Sequence, residues 1–169
     1  MVFGFDDERR QGERGEEEFL RHQEAQALSY EDYPTEQQRG IDALAGNSRI
    51  DIKTQSYKYV FTGNIPLEIF SVVEESKLGW FLDSATDIVV WLYEGPDGPD
   101  GDYWHTAYKM MVTDELREFI TTNADLWKRS ESRNENQYGT YHSVCYMVPV
   151  PAFPPDTLVP FDLTEPQRW

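Results

Sequence analysis

The chain has 169 residues, of which 39% are hydrophobic, and its formal net charge is −16. This length predicts a single domain over residues 1–169 with its own hydrophobic core, and this hydrophobic fraction excludes a globally disordered chain. No apolar run reaches the length of a transmembrane helix and residues 1–7 are too acidic for a signal peptide, so we expect no membrane partner. The one cysteine, Cys145, excludes a disulfide framework and favours a reducing, cytoplasmic setting.

The acidity of the chain restricts its partners. There are 31 acidic residues against 15 basic ones, and such a chain repels bulk nucleic acid and anionic membranes at low salt. Three explanations stay open at this point: adaptation to high salt, mimicry of nucleic acid, or plain solubility combined with a local site of different character.

The first half of the chain reads as a helix followed by strands. Residues 1–9 are predicted to be a flexible tail, and residues 11–28 a helix, because their apolar side chains recur at helical spacing. A polar loop over residues 29–38 follows. Strands are then expected at residues 40–45, 49–55, 65–73 and 86–93. The last of these is apolar on both faces, which predicts a central position in a sheet.

The second half is predicted to continue the sheet and to add a helix. After an acidic Gly/Pro loop over residues 94–102, a fifth strand is expected at residues 103–112. Thr113 is a suitable N-cap for a helix ending near Arg129. That helix would bury Leu116, Phe119, Ile120 and Trp127. A last strand at residues 141–150 and an extended segment over residues 151–169 complete an α/β domain with a central mixed β-sheet flanked by helices.

A hairpin in this order brings two carboxylates together. Gly46-Asn47 is a two-residue hairpin signal, so Ala45 should pair with Ser48. Counting back along both strands places Asp42 directly opposite Asp51 on one polar face, with Lys53 and Gln55 further along the same side.

Opposed like charges at this position need an explanation. Directly opposed strand residues have Cβ atoms ~5 Å apart, where two carboxylates repel each other. A divalent cation would remove the repulsion, and carboxylate oxygens suit Mg²⁺. Lys53 would then stand beside the metal, where it could orient a water molecule and stabilise developing charge.

Glu68 is a further candidate because it lies in an otherwise apolar strand. A carboxylate in a buried strand is rarely left unpaired. A third acid that faces the same metal site would explain its presence, and a partner such as Arg39 or Lys77 would explain it equally well.

These residues resemble the PD-(D/E)XK, or restriction-endonuclease-like, nuclease superfamily. Residues 37–42 look like the Q-x-x-G-I-D entry of small phage-type members, and residues 51–55 look like the catalytic strand with its Gln after the lysine. Residues 64–68 and Gly79-Trp80 are similar to the segments that follow. The first helix is similar as well, and the likeness covers about residues 12–93.

The resemblance implies an activity and a ligand set. It implies Mg²⁺-dependent hydrolysis of DNA phosphodiester bonds, with Mn²⁺ as a substitute, in phage or host DNA processing or recombination. The implied metal ligands are Asp42, Asp51 and the Ile52 carbonyl, with Glu16 and Glu68 extending the site. Lys53 would position the attacking water, and Gln55 would orient that water or the scissile phosphate.

Two departures and one ambiguity accompany this resemblance. Ile41 precedes Asp42 where the family name has Pro, and Asp51 stands where many members carry Glu. Residues 16–18 are all glutamates, and Glu16 is the one that shares the inward face of Phe19 and Leu20.

A rival function follows from the charge. A small protein at −16 could be a non-catalytic inhibitor that mimics DNA, or a silent family member that serves as an interaction module. In a mimic the acids would be spaced along an outer surface instead of converging on one site. The sequence leaves the oligomeric state open, a dimer included.

Overall fold

The computed structural model describes residues 5–28, 40–95, 104–136 and 139–169. The predicted loop over residues 29–38, Arg39 and most of the Gly/Pro loop over residues 94–102 therefore lie outside the described residues. No helix in the described ranges is long and apolar enough to cross a membrane.

The first helix, α1, runs from Phe5 to His22. Residues 5–9 are thus helical and not part of a tail, and the helix ends six residues before the predicted end at Leu28. It ends early because Gln26 and Ala27 form a short strand that pairs with Leu44 and Ala43. The described residues contain two further α-helices, both short: α2 at Trp80–Asp83 and α3 at Asp114–Thr122.

Ten strands are present in the described part of the chain. They are β1 Gln26–Ala27, β2 Ala43–Ala45, β3 Ser48–Ser56, β4 Asn64–Val72, β5 Lys77–Leu78, β6 Ile88–Glu94, β7 Trp104–Met111, β8 Lys128–Asn136, β9 Gly139–Pro149 and β10 Leu158–Asp162. Short 3₁₀-helices occupy Tyr57–Thr62, Val73–Glu75, Ala124–Leu126 and Val150–Ala152.

Six of these strands form a mixed sheet in the order β1-β2-β3-β6-β7-β10. β3 and β6 are parallel, and the other neighbours are antiparallel. The predicted central position of residues 86–93 is confirmed, because β6 lies inside the sheet and all seven of its residues are buried. The predicted hairpin is confirmed too, with Ala45 paired to Ser48 and Ala43 to Ile50. Gly46 adopts the positive φ, 58°, that this turn requires.

The other four strands form a second, antiparallel sheet in the order β5-β4-β9-β8. This sheet was not predicted, because a helix was expected to reach Arg129 and no strand was expected between it and residue 141. The helix ends at Thr122 instead, where Thr121, Thr122 and Asn123 are poor helix formers. Its predicted start is confirmed, since the Thr113 side chain accepts a hydrogen bond from the Leu116 amide at 3.1 Å.

The mixed sheet has an apolar core on each face. One core lies between the two sheets and includes Leu67, Val89, Trp91 and Val148. The other lies under α1 and includes Phe19, Ile50, Ile52, Val90, Ala107 and Leu163. The fold is therefore of the α/β class, with a helix on one face of a mixed sheet and a second sheet on the other. Because Asp51 and Lys53 neighbour Val89 and Trp91 in register, their side chains lie on the face towards the second sheet.

Candidate active site

Asp42 stands immediately before β2, where the hairpin ladder ends. The last pair of the ladder is Ala43 with Ile50, so Asp42 and Asp51 do not form the directly opposed pair that was predicted. The Asp42 carboxylate instead accepts a hydrogen bond from the Ile52 amide at 2.8 Å. The side chain of Asp42 thereby takes the place of a backbone carbonyl, and its carboxylate is drawn against the strand that carries Asp51.

The surroundings of Asp42 favour its protonated form. Burial and the negative charges of Asp51 and Glu16 raise the pKa of Asp42 to about 8, against the opposing effects of the Ile52 amide and Lys53. The predicted repulsion between the Asp42 and Asp51 carboxylates is therefore present in the structure, although the two residues are not ladder partners.

Asp51 is almost completely enclosed, with 1% of its surface exposed. One carboxylate oxygen, Oδ1, lies 2.8 Å from the Lys53 ammonium nitrogen. The other oxygen, Oδ2, is buried and has no hydrogen-bond partner among the described residues. A buried carboxylate oxygen without a partner costs free energy, so this oxygen needs an explanation.

Lys53 is the cation of the site. Burial lowers its pKa, but the Asp51 carboxylate, with Asp42 and Glu68, outweighs that effect and raises the pKa above its ordinary value. Its side chain is 30% exposed, and its Nζ lies 5.5 Å from the centre of the Trp80 ring. Lys53 is therefore a fixed positive charge with one side open to solvent.

Glu68 reaches the same place from β4. Burial raises the pKa of Glu68 above its ordinary value, against the opposing effects of the Trp80 amide, Lys53 and Lys77. The backbone at Gly79 packs directly on that of Glu68, which only glycine permits, because a Cβ there would lie 2.3 Å from the Glu68 carbonyl oxygen. Of the two partners expected from the sequence, Lys77 is near Glu68, and Arg39 is outside the described ranges.

Glu16 is the helical acid that faces the site. Burial and the charges of Glu13 and Asp51 raise the pKa of Glu16, whereas Lys53 lowers it. Glu17 is exposed, and Glu18 is engaged on the helix by Arg21 at 2.8 Å and His22 at 3.1 Å. Of the three consecutive glutamates, Glu16 is thus the one that lies near Asp51 and Lys53.

Close contact between α1 and β3 sets the position of Glu16. Gly15 packs directly on Thr54, and a Cβ at Gly15 would lie 1.7 Å from the Thr54 hydroxyl oxygen. Any larger residue at this position would push the helix, and Glu16 with it, away from Asp51.

An ion pair that the sequence analysis missed ties the same helix to β6. Arg14 Nε lies 2.6 Å from Glu94 Oε1, and Gln11 Nε2 donates to Glu94 Oε2 at 2.8 Å. Glu94 is only 8% exposed. Its position directly after a wholly apolar strand was a usable signal, since a charge there needs a partner, but Glu94 was assigned to the following loop.

A cavity of about 650 Å³ opens beside these residues. Gln55 lies in its wall, and Lys53 and Glu68 belong to both the cavity and the acidic cluster. The lining residues are Gln11, Arg14, Lys53, Thr54, Gln55, Ser56, Lys58, Tyr59, Pro66, Glu68, Trp80, Trp91, Glu94 and Cys145. Cys145 is half-buried in the wall of the cavity. Burial and the nearby Glu68 raise its thiol pKa to about 11, which keeps the sulfur protonated.

The oxygen atoms at the hairpin suit a hard cation. Among the described residues, no group of three or more His, Cys, Asp or Glu side chains is arranged to hold a metal ion. Mg²⁺ commonly binds through one or two carboxylates and keeps several water molecules. The buried Asp51 Oδ2 and the Asp42 carboxylate meet that requirement, so the residues present fit Mg²⁺.

Comparison of the chain with protein-family models, with curated proteins and with solved structures gives no match.

Proposed function

We propose that the chain is a Mg²⁺-dependent nuclease of the restriction-endonuclease-like fold that hydrolyses phosphodiester bonds of DNA. The observation that carries this proposal is the Asp42–Asp51 cluster, in which a buried carboxylate oxygen has no partner among the described residues and lies beside a fixed ammonium group. Phage or host DNA processing or recombination is the setting that the family resemblance suggests. One cysteine and hence no disulfide agrees with a cytoplasmic location.

The cation would be held by Asp42, Asp51 and the Ile52 carbonyl. The N–H and C=O of one strand residue point to the same neighbouring strand. Because the Ile52 amide already bonds Asp42, its carbonyl is on the same side. When bound, a divalent cation supplies Lewis-acid polarisation of the phosphate and an acidified water molecule. Mn²⁺ should replace Mg²⁺, because the donors are oxygens.

The protein side chains would supply positioning and charge. Lys53 stays protonated, since its pKa is raised, so it acts as a cation and not as a base. It would orient the attacking water and stabilise the negative charge that develops on the phosphate. Glu16 and Glu68 extend the acidic cluster, and a raised pKa makes each a better proton acceptor than an ordinary glutamate. Gln55 would orient the water or the scissile phosphate.

The DNA-mimic alternative is favoured by one observation, the net charge of −16. A mimic or a silent interaction module must present its acids to a partner. Asp51 is 1% exposed and Asp42 is partly buried, so the acids of the cluster do not form such a surface. These functions remain the alternatives that the following experiment separates from the nuclease.

The test is cleavage by Lys53 variants. Wild-type protein should cut linear, circular or branched DNA with Mg²⁺ or Mn²⁺ but not with EDTA. Lys53→Ala should lower the rate by ~10²–10³, the usual cost of removing one preorganised charge at the transition state. Lys53→Arg should not restore it, because a planar guanidinium does not replace a compact ammonium group. Lys128→Ala, on an exposed residue of β8, is the matched control and should cut normally.

Two results would count against the proposal. Equal cutting by wild type and Lys53→Ala would remove Lys53 from the mechanism. No cutting of any DNA by wild type, across metals and salt concentrations, would favour the mimic or the silent family member.

A further inference from the structure

The cavity beside the cluster lies where ligands usually bind in this class of fold. It opens at the carboxyl ends of β3 and β6, the parallel neighbours in the mixed sheet, since Gln55, Ser56 and Glu94 line it. Crevices at that edge of an α/β sheet are the general ligand position. Its volume of about 650 Å³ falls within the range of about 300–1,000 Å³ found for small-molecule sites.

The walls of the cavity combine aromatic rings with lysines. Lys53 Nζ lies 5.5 Å from the Trp80 ring centre, and Lys58 Nζ lies 5.2 Å from that of Tyr59. Trp91 meets the Trp80 ring edge-on at 6.0 Å and fixes its orientation. In a chain this acidic, two lysines set against aromatic rings at one opening favour a ligand that is flat, conjugated and attached to an anion.

A polar side chain in the wall can form hydrogen bonds with the edge of such a ligand. Within the described ranges the Gln55 side-chain amide has no hydrogen-bond partner, although it lines the cavity. An amide offers one acceptor and two donor hydrogens, and this combination matches the edge of a nucleobase. Tyr59, which is 44% exposed at the rim, offers a ring face for stacking.

We propose that the cavity receives one unpaired nucleobase of a single-stranded DNA segment, beside the phosphodiester that the Asp42–Asp51–Lys53 cluster would cleave. This inference rests on the proposed function, because Lys53 and Glu68 line the cavity as well as the cluster. A base inside a duplex is stacked and paired and must be extruded before it can enter such a cavity. The substrate class is therefore DNA with unpaired nucleotides, such as single strands, flaps and frayed ends, and not continuous duplex.

The first arm of the test measures binding without catalysis. In EDTA, a fluorescently labelled oligothymidylate of about eight nucleotides is titrated with protein and followed by anisotropy. Tyr59→Ala should weaken binding by roughly fivefold to a hundredfold, the range that loss of one base–aromatic stack produces, and Tyr59→Phe should bind like wild type. Tyr141→Ala, on β9 outside the cavity, is the control and should be unchanged. Wild-type affinity in Tyr59→Ala, or no binding by wild type, would overturn the inference.

The second arm separates this inference from the nuclease itself. With Mg²⁺, wild type should cut single-stranded and flapped DNA several-fold faster than closed circular duplex of the same sequence. Equal rates on both would overturn the nucleobase cavity and leave the nuclease standing. Tyr59-dependent binding without cleavage of any substrate would contradict the nuclease and support the cavity.

Discussion

At the scale of single residues, the acidic cluster has more negative charge than its cation can neutralise. Lys53 pairs with one oxygen of Asp51, and the other oxygen has no partner among the described residues. The Asp42 carboxyl group is buried close to the negative charges of Asp51 and Glu16. Such an arrangement is unfavourable for folding and persists in proteins where a function uses it. A bound divalent cation would convert the repulsion into attraction.

Metal binding should therefore depend on both hairpin aspartates. We expect Asp42→Ala and Asp51→Ala each to reduce Mn²⁺ binding sharply, because each removes a carboxylate from the pair. Isothermal calorimetry measures the affinity, and Glu17→Ala, which removes an exposed acid next to Glu16, is the control. Wild-type affinity in both aspartate variants would exclude a metal site at the hairpin.

The pKa of Asp42 predicts a pH dependence of stability in the absence of metal. Its pKa is raised from 3.8 to about 8 in the folded protein. The proton stabilises the folded state fully below pH 3.8, and this stabilisation is lost as the pH rises through about 8. Asp42→Asn, which can still accept the Ile52 hydrogen bond, has no such loss.

In EDTA, the free energy of unfolding of Asp42→Asn should therefore increase relative to that of wild type as the pH rises. Urea unfolding at pH 5 and pH 8 measures the free energy of unfolding of both proteins. The difference between them should grow by more than about 1 kcal/mol towards pH 8, since each pKa unit is worth about 1.4 kcal/mol. A difference that stays constant or shrinks would show that Asp42 ionises normally.

The sequence identified most of these residues because short-range rules apply to them. The two residues of the Gly46-Asn47 turn set the hairpin register, and helical spacing selected Glu16 on α1. The bond between the Asp42 carboxylate and the Ile52 amide was not predictable, because it replaces a ladder bond that the pattern favoured. Glu94 was missed because its partner, Arg14, lies 80 residues away in the chain.

At the scale of elements, α1 is held to the mixed sheet by a contact that only glycine permits. Gly15→Ala would force Cβ against Thr54, whose β-branched side chain has little freedom to move. We expect this variant to lose stability, by about 1–3 kcal/mol as in other overpacked sites, and to lose cleavage activity as Glu16 shifts.

Gly12→Ala is the matched control for that change. It lies on the same helix, and no atom of the described residues lies within 4 Å of its Cβ position, so alanine should stabilise the helix by about 0.5–1 kcal/mol. Thermal unfolding of both variants measures the two effects. A Gly15→Ala protein as stable and active as Gly12→Ala would mean that the helix is not seated as described.

Two of the strands that the sequence analysis missed, β8 and β10, have sequences that do not favour a strand. β8 reads KRSESRNEN and has no hydrophobic alternation, so it forms a strand only because β9 offers it a complete ladder over Lys128–Asn136. β10 contains Pro160, which lowers strand propensity but is tolerated on a strand with one free edge. Both are edge strands whose structure comes from tertiary pairing.

At the scale of the whole molecule, the net charge of −16 predicts a dependence of stability on salt. Self-repulsion among the acids opposes folding and weakens as the Debye length falls to ~8 Å at 0.15 M salt. We expect the melting temperature to rise with KCl up to that concentration. A further steep rise at molar KCl would indicate high-salt adaptation, and a plateau would favour mimicry or plain solubility. A melting temperature that is insensitive to KCl from the lowest salt upwards would contradict self-repulsion.

The position of β10 has a consequence for the synthesis of the protein on the ribosome. β10 pairs with β7 along five residues, and the segment after it places Leu163 in the core under α1 and packs Trp169 against Phe19 at 5.2 Å. While these residues are still inside the ribosome, the edge of β7 is unpaired and Phe19 is uncovered. Open strand edges and uncovered apolar residues promote aggregation. We therefore expect the emerging chain to be prone to aggregation until β10 and residues 163–169 have left the exit tunnel.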